Sequence, residues 1–303
     1  MADEIVPSGI GSLISGEEMA NEYLLLLADR DSSILTHPAL FHATGRAGGR
    51  MSNVIRVPHL GLMGYNTLAA TTPGSEVANT AFTDGETDVT VVSRAKVYSV
   101  DDFARFIAGG KLDPVMFAQD AVISVAQDLI GLIANVVDDF TSEAGTTGVD
   151  ATWNDIVDAK TILGIAKATG PMVGIVHPRQ WGDLEVDALS LGVLPAQSMG
   201  GVINTGLESY VGRWLGIDFF RHSAVPTANG GADRAGGIWT RGGMAWADAI
   251  LDPENDANIV DMGRARLERA RHGTFLETSW VISYQAGVAK AIDGAGVTLN
   301  TDA

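Results

Sequence analysis

The chain has 303 residues, 46% hydrophobic and 19% charged, a balance that supports a sizeable core in one large domain or two modest ones. It has no cysteine, which excludes disulfides, cysteine-ligated zinc and thiol chemistry. Twenty Lys and Arg against 37 Asp and Glu give a net charge of −17, which argues against binding to phosphate backbones and for a surface that does not adhere to nearby DNA.

The opening residues, MADEIVPSGIGSL, lack the basic start and apolar core of a signal peptide. The longest apolar stretches are broken by Asp, Gln and Asn, so no transmembrane helix is expected. Together these features predict a soluble intracellular product. Residues 1–50 combine a helical piece, roughly Gly16 to Ala28, with Gly-rich and His/Pro-containing segments, and read as an extended arm.

Residues 53–59 and 87–98 read as two strands, the second with Val89, Val91, Ala95 and Val97 on one face. The long run of small and polar residues between them makes a two-stranded ribbon that is marginal alone and needs a surface to lie on. A neighbouring copy would supply one. The clearest helix follows. Asp113 is a candidate N-cap, Pro114 fits the first turn, and Gly145 can end it. Rows through Val122, Leu129 and Val136, through Val125 and Leu132, and through Ile133 and Phe140 make the apolar face broad enough to need packing on more than one side.

Residues 151–222 alternate between helix and strand. Thr152 caps a helix that runs towards Gly170-Pro171, MVGIVHP (172–178) is a buried strand, RQWGDLEVDALS (179–190) returns to helix, and LGIDFF (215–220) is strand. GIWTRGGMAWA (237–247) is a further strand region, and the tail supplies NIVDMGRARLE and the apolar stretch FLETSWVISYQAGVAKA. The class is α+β, without βαβ repetition.

Little in the chain reads as chemistry. His222 and Ser223 are adjacent, but neighbours in a strand face opposite ways, and no G-x-S-x-G elbow exists. The six His are scattered. DPEND (252–256) lacks the glycine and closing Glu of a calcium loop and reads as a solvated acidic turn rather than an ion site. GIGSLIS has no phosphate-loop continuation. In His177-Pro178-Arg179 the proline reads as the start of a helix and Arg179 as the partner of an acid. No catalytic, cofactor or metal residue is assigned. One cluster stands out: Arg264, Arg266, Arg269 and Arg271, with Arg264 and Arg266 on one strand face. It fits an inter-subunit strip, a solvated face or, against the overall charge, a nucleic-acid contact. Asp84, Glu86 and Asp88 at the acidic end of the ribbon would complement an interface.

The order of these parts resembles the major capsid (head) protein of tailed bacteriophages, the Hong Kong 97-type fold. Val173 through Trp181 is similar to the strand, His-Pro and helix step of that family's axial domain. Tyr210 to Phe220 with Ser223 to Pro226 resembles its strand and S-x-x-P segment, and Arg271 to Thr274 with Val281 to Val288 resembles its closing strands. The resemblance implies an N-terminal arm (1–52), an extended β-hairpin loop (53–98) lying over a neighbour, and a peripheral domain (99–150) with a spine helix at 113–143. An axial domain (151–250) and a return to the peripheral domain (251–303) complete the chain. It implies pentamers and hexamers in an icosahedral shell around double-stranded DNA, a separate scaffolding protein, a portal and a decoration protein. The location implied is the virion, with assembly in the host cytoplasm. The arm is short, so N-terminal trimming is not expected. Lys96, near the base of the loop, is its only lysine, which argues against covalent cross-linking. The rival readings are an encapsulin-type nanocompartment and a soluble α+β enzyme.

Overall fold

The computed structural model describes residues 34, 37–46, 53–60, 84–101, 114–168, 170–190, 210–250, 259–261, 265–272 and 277–302. The first part holds strands β1 (Leu40–Arg46), β2 (Val54–Leu60), β3 (Asp84–Thr90) and β4 (Val92–Asp101), then helix α1 (Pro114–Val136). The middle holds β5 (Glu143–Ala144), α2 (Trp153–Ile165), β6 (Met172–Val176), α3 (Pro178–Ser190), β7 (Tyr210–Trp214), β8 (Ile217–Arg221) and β9 (Thr227–Ala228). The last part holds β10 (Asp233–Thr240), β11 (Met244–Ile250), β12 (Ile259–Asp261), β13 (Ala265–His272), β14 (Glu277–Lys290) and β15 (Gly296–Asp302).

Two sheets carry the fold. In the first, the 14-residue β14 is shared: β4 pairs along one edge, while β13 and then β11 take successive stretches of the other. β12 extends β13, and β1 lies parallel to β11. The second sheet has the order β5-β15-β10-β6-β8-β7, with β9 also on β10. Besides the passage through α1, two short connections join the sheets, at Arg241–Gly243 and at Ala291–Ala295. The two crossings bond to each other, Ala291 N–H to Gly243 O at 2.9 Å and Ile292 N–H to Gly242 O at 3.0 Å. Gly242 has φ +94°, and a Cβ there would come 3.2 Å from both Ile292 and Phe41, so the crossing needs glycine. The stretch 237–247 is therefore two strands in different sheets rather than one.

Helix α1 packs on both sheets. Val125, Leu129, Ile133 and Ala134 are buried against Val173, Ile175 and Trp239 of the second sheet and Met244, Trp246 and Tyr284 of the first. This is the broad apolar contact that the sequence demands. The α-helix ends at Val136, followed by a short 3-10 turn at Val137–Asp139, earlier than Gly145. Asp138 and Asp139 oppose the negative end of the helix dipole. The freed carbonyls are taken elsewhere: Thr298 Oγ1 donates to Val137 O at 2.8 Å, and Lys290 Nζ to Asp139 O at 2.6 Å.

The other face of the second sheet is covered by α2 and α3. Thr152 and Asp155 form a reciprocal capping box at the start of α2. The helix stops at Ile165, short of Gly170, with Lys167 at φ 56° closing the turn. Trp153 stacks on Trp214 at 4.8 Å and meets Trp181 and Phe219 edge-on, so aromatic rings fill much of this second core.

Strand alternation sorts the two faces of the first sheet by size. Met244, Trp246, Tyr284 and Ala286 lie with the α1 core, whereas Ala245, Ala247 and Ala289 lie with the β2–β3 hairpin. Ile55, Val57, Val89 and Val91 of the hairpin are buried on that small-residue face, and Phe41 of β1 stacks on His59 at 5.9 Å. The surface under this part of the ribbon thus belongs to its own chain. Two further expectations change. Residues 40–46 of the supposed arm are a strand of the first sheet. The strand read at 87–98 breaks at Val91, where the chain leaves the hairpin for β14, so Val97 is 58% exposed instead of sharing the buried face of Val89.

A Cβ at Gly287 would collide with the carbonyl of Thr90. Gly287→Val is therefore expected to lift the hairpin, costing about 1–3 kcal/mol in denaturant unfolding. Amide exchange should accelerate in β2 and β3 while α2 and α3 stay protected.

Candidate functional site

The residues that could carry chemistry do not converge. β8 ends at Arg221, so His222 sits in the following turn, not in a strand. Its backbone N–H donates to Val176 O at 3.0 Å and its Nδ1 accepts the Ala224 N–H at 3.1 Å, which shapes the turn. His177 occupies the N-cap position of α3. Its Nδ1 accepts the Arg179 N–H at 3.2 Å, and its own N–H donates to Gln180 Oε1 at 2.9 Å. Burial first, then the charges of Arg234 and Arg179, hold the His177 pKa below its usual value. Pro178 opens the helix as expected, and the Arg179 charge acts on Asp183 within it. Among the described residues no group of three His, Asp or Glu is placed to hold a metal. GIGSLIS and the acidic turn 252–256 lie outside the described residues, as does the helical piece at 16–28.

Buried polar groups instead join elements. Gln180 is fully buried. Its amide donates to Arg234 O, Leu299 O and Thr301 Oγ1, which ties α3 to β10 and β15. His37, just before β1, accepts the Ala39 N–H at Nδ1, so its Nε2 carries the proton towards Asp218 Oδ2 at 3.1 Å. Tyr210 also donates to Asp218, and burial followed by that carboxylate raises its pKa. This cluster links the entry to the first sheet with β7 and β8 of the second.

A concavity with a volume of about 530 Å³ lies between α1 and β4. Arg94 donates to Asp128 at 3.3 Å, Tyr284 donates to the same carboxylate, and Lys96 Nζ donates to Ser124 Oγ at 2.8 Å. Gln127, Leu132 and Asn135 of α1 and His222 of the turn complete the walls. Burial, then the Asp128 carboxylate, raises the Tyr284 pKa above its ordinary value. Sequence reading missed this cluster. Its signal was Asp128, an acid in an otherwise apolar stretch of helix, which requires a partner.

Of the proposed interface residues, Arg264 lies outside the described residues. The backbone of β13 sets Arg266, Arg269 and Arg271 opposite Ser283, Trp280 and Thr278. Asp84, Glu86 and Asp88 lie on β3, opposite Leu60, Pro58 and Arg56. Glu86 and Asp88 already share a cation within the hairpin, since Arg56 reaches them at 3.0 and 3.2 Å. No helix of the described residues is long and apolar enough to cross a membrane.

The architecture is the mixed α+β fold seen in solved phage capsid and encapsulin subunits. The capsid of Ralstonia phage GP4 matches with a TM-score of 0.58 and 11% identity, over 88% of this chain and 87% of that one. A structure from Mycobacterium phage Che8 matches at 0.55 and 17%, over 82% and 84%. The holo-SrpI encapsulin complex of Synechococcus elongatus matches at 0.54 and 14%, over 87% and 85%. No protein-family model matches the chain, and no curated protein matches it in sequence.

Asp128→Ala would strand the buried Tyr284 hydroxyl and is expected to cost roughly 1–3 kcal/mol in urea unfolding. The folded-state pKa of Tyr284 is raised, so the unfolded chain ionises first. Stability is therefore full below about pH 10 and declines above it. Tyr284→Phe should flatten that alkaline decline in a series of melts across pH 9–11.

Proposed function

We propose that this chain is the major capsid protein of a tailed bacteriophage, a structural and non-catalytic subunit that assembles as hexamers and pentamers into an icosahedral shell around double-stranded DNA. The observation that carries the proposal is the likeness to the capsid of Ralstonia phage GP4, which runs over most of both chains. In this reading α1 is the spine of a peripheral domain built on the first sheet, which β12, β13 and β14 complete before the chain returns to the second sheet as β15. The second sheet with α2 and α3 is the axial domain near the capsomer centre. The β2–β3 hairpin is the root of the extended loop, and the residues before β1 are the arm.

The charge of −17 suits the role, because an acidic, non-adhesive shell lets DNA slide as the head fills. A separate scaffolding protein, a portal and a decoration protein are the partners this role calls for. The chain would be found in the virion and, during assembly, in the host cytoplasm. The second reading is an encapsulin-type nanocompartment, which the likeness to the SrpI complex supports about equally.

The two readings differ in what the particle holds. Particles purified from the native source and treated with nuclease should release protected double-stranded DNA if the chain is a capsid protein. Particles that release a protein cargo and no DNA would overturn the capsid reading in favour of the encapsulin one. The Arg strip provides a second test. Arg264→Glu with Arg266→Glu is expected to block assembly while the far-ultraviolet circular dichroism stays native. Normal shells from that variant would remove the strip from the interface.

A further inference from the structure

We infer that the end of the second sheet where β6 leads into α3 is an anion site, in which Arg179, Arg221 and Arg234 gather to bind a phosphate group. The inference stands apart from the shell reading, since it needs only the folded subunit.

The topology brings these cations together from three segments. β6 and β8 run parallel and finish side by side, with Val176 opposite Arg221. β10 pairs with the other edge of β6. Strand alternation puts Arg221 on the face of Ile217 and Phe219, and Arg234 on the face of Ile238, the face that α2 and α3 cover. The first turn of α3 is tied to β10 at this point, because the Gln180 amide donates to Arg234 O at 2.9 Å. At ~4.8 Å per strand, β8 and β10 lie about 10 Å apart across β6, and the chain enters α3 between them at His177 and Arg179. The His177 pKa registers the same convergence: it is lowered first by burial and then by the charges of Arg234 and Arg179.

Among the described residues no carboxylate forms an ion pair with any of the three arginines. Asp183, one turn along α3 from Arg179, accepts the Ala151 N–H instead. Arg234 donates once, to Val225 O at 3.4 Å, and its Nε is buried with no partner among the described residues. A buried donor left open is costly until something accepts from it. His177 Nδ1 accepts the Arg179 N–H, so Nε2 carries the proton and adds a neutral donor. Arg179 is exposed and Arg221 half-buried, so an ion can reach the group from solvent. A guanidinium fork matches an oxyanion with two parallel bonds, and three forks suit the oxygens of a phosphate better than the pair on a carboxylate. The crevice beyond the carboxyl ends of parallel strands is also where open sheets receive ligands.

Isothermal titration calorimetry of the purified chain with inorganic phosphate, in a phosphate-free buffer at low ionic strength, tests the site. Saturable binding is expected, with a dissociation constant of about 1 mM or tighter. Arg179→Gln and Arg221→Gln should each weaken it roughly ten-fold while the circular dichroism spectrum stays native. Arg213→Gln removes the same charge beside Asp218, on the other face of the sheet, and should leave binding unchanged. A short double-stranded oligonucleotide, titrated in competition, identifies the source of the phosphate. Displacement assigns the site to a nucleic-acid backbone, and phosphate binding that the duplex leaves undisturbed assigns it to a free anion. No saturable binding of either ligand, or equal binding by the native chain and the Arg179 and Arg221 variants, would overturn the inference. Equal weakening by Arg213→Gln would reduce the effect to net charge and overturn it as well.

Discussion

The division of the first sheet into a bulky face and a small face is the constraint on which the rest of the molecule depends. Strand alternation aims Trp246 and Tyr284 at α1, and Ala245, Ala247 and Ala289 at the hairpin. Large side chains let one long helix bury a broad apolar surface against two sheets at once. Small side chains let a two-stranded ribbon, marginal by itself, lie close enough to be held. Gly287 marks the limiting case, because at that point the backbone of Thr90 leaves no room for any side chain. A one-residue slip of β14 would exchange the faces and remove both supports.

The two sheets act as one body because their crossings are tied together. The turns at Gly242–Gly243 and Ala291–Ile292 bond to each other, and the second of them also holds the end of α1 through Lys290. Asp293 accepts from Lys290 and from the Thr141 N–H, and the lysine bond keeps its pKa below the usual carboxylate value. The buried Gln180 and the His37–Asp218 contact add polar links of defined geometry. These ties hold the two sheets together without any covalent staple.

Local punctuation was legible in the sequence. Pro114, Thr152 and Pro178 mark helix starts because their effect is confined to one turn, and the buried run Met172–Val176 is a strand by composition alone. Long-range pairing was not legible. LFHATGR carries Gly, His and Arg and looks like loop; it is a strand only because β11, some two hundred residues later, lies parallel to it. The break at Val91 and the split of 237–247 likewise reflect a change of sheet, which no local pattern encodes. The α1–β4 groove was hidden for the same reason, since Arg94, Asp128 and Tyr284 come from three distant segments. The likeness of the fold to phage capsid subunits was readable from the order of parts, each of them weak alone.

The most direct test of the central claim is negative-stain electron microscopy of the purified chain, with and without a candidate scaffolding protein. The account predicts closed icosahedral shells or sheets of capsomers in at least one of the two conditions. Monodisperse small particles in both would contradict it and return attention to His177 and His222 as groups of a soluble enzyme.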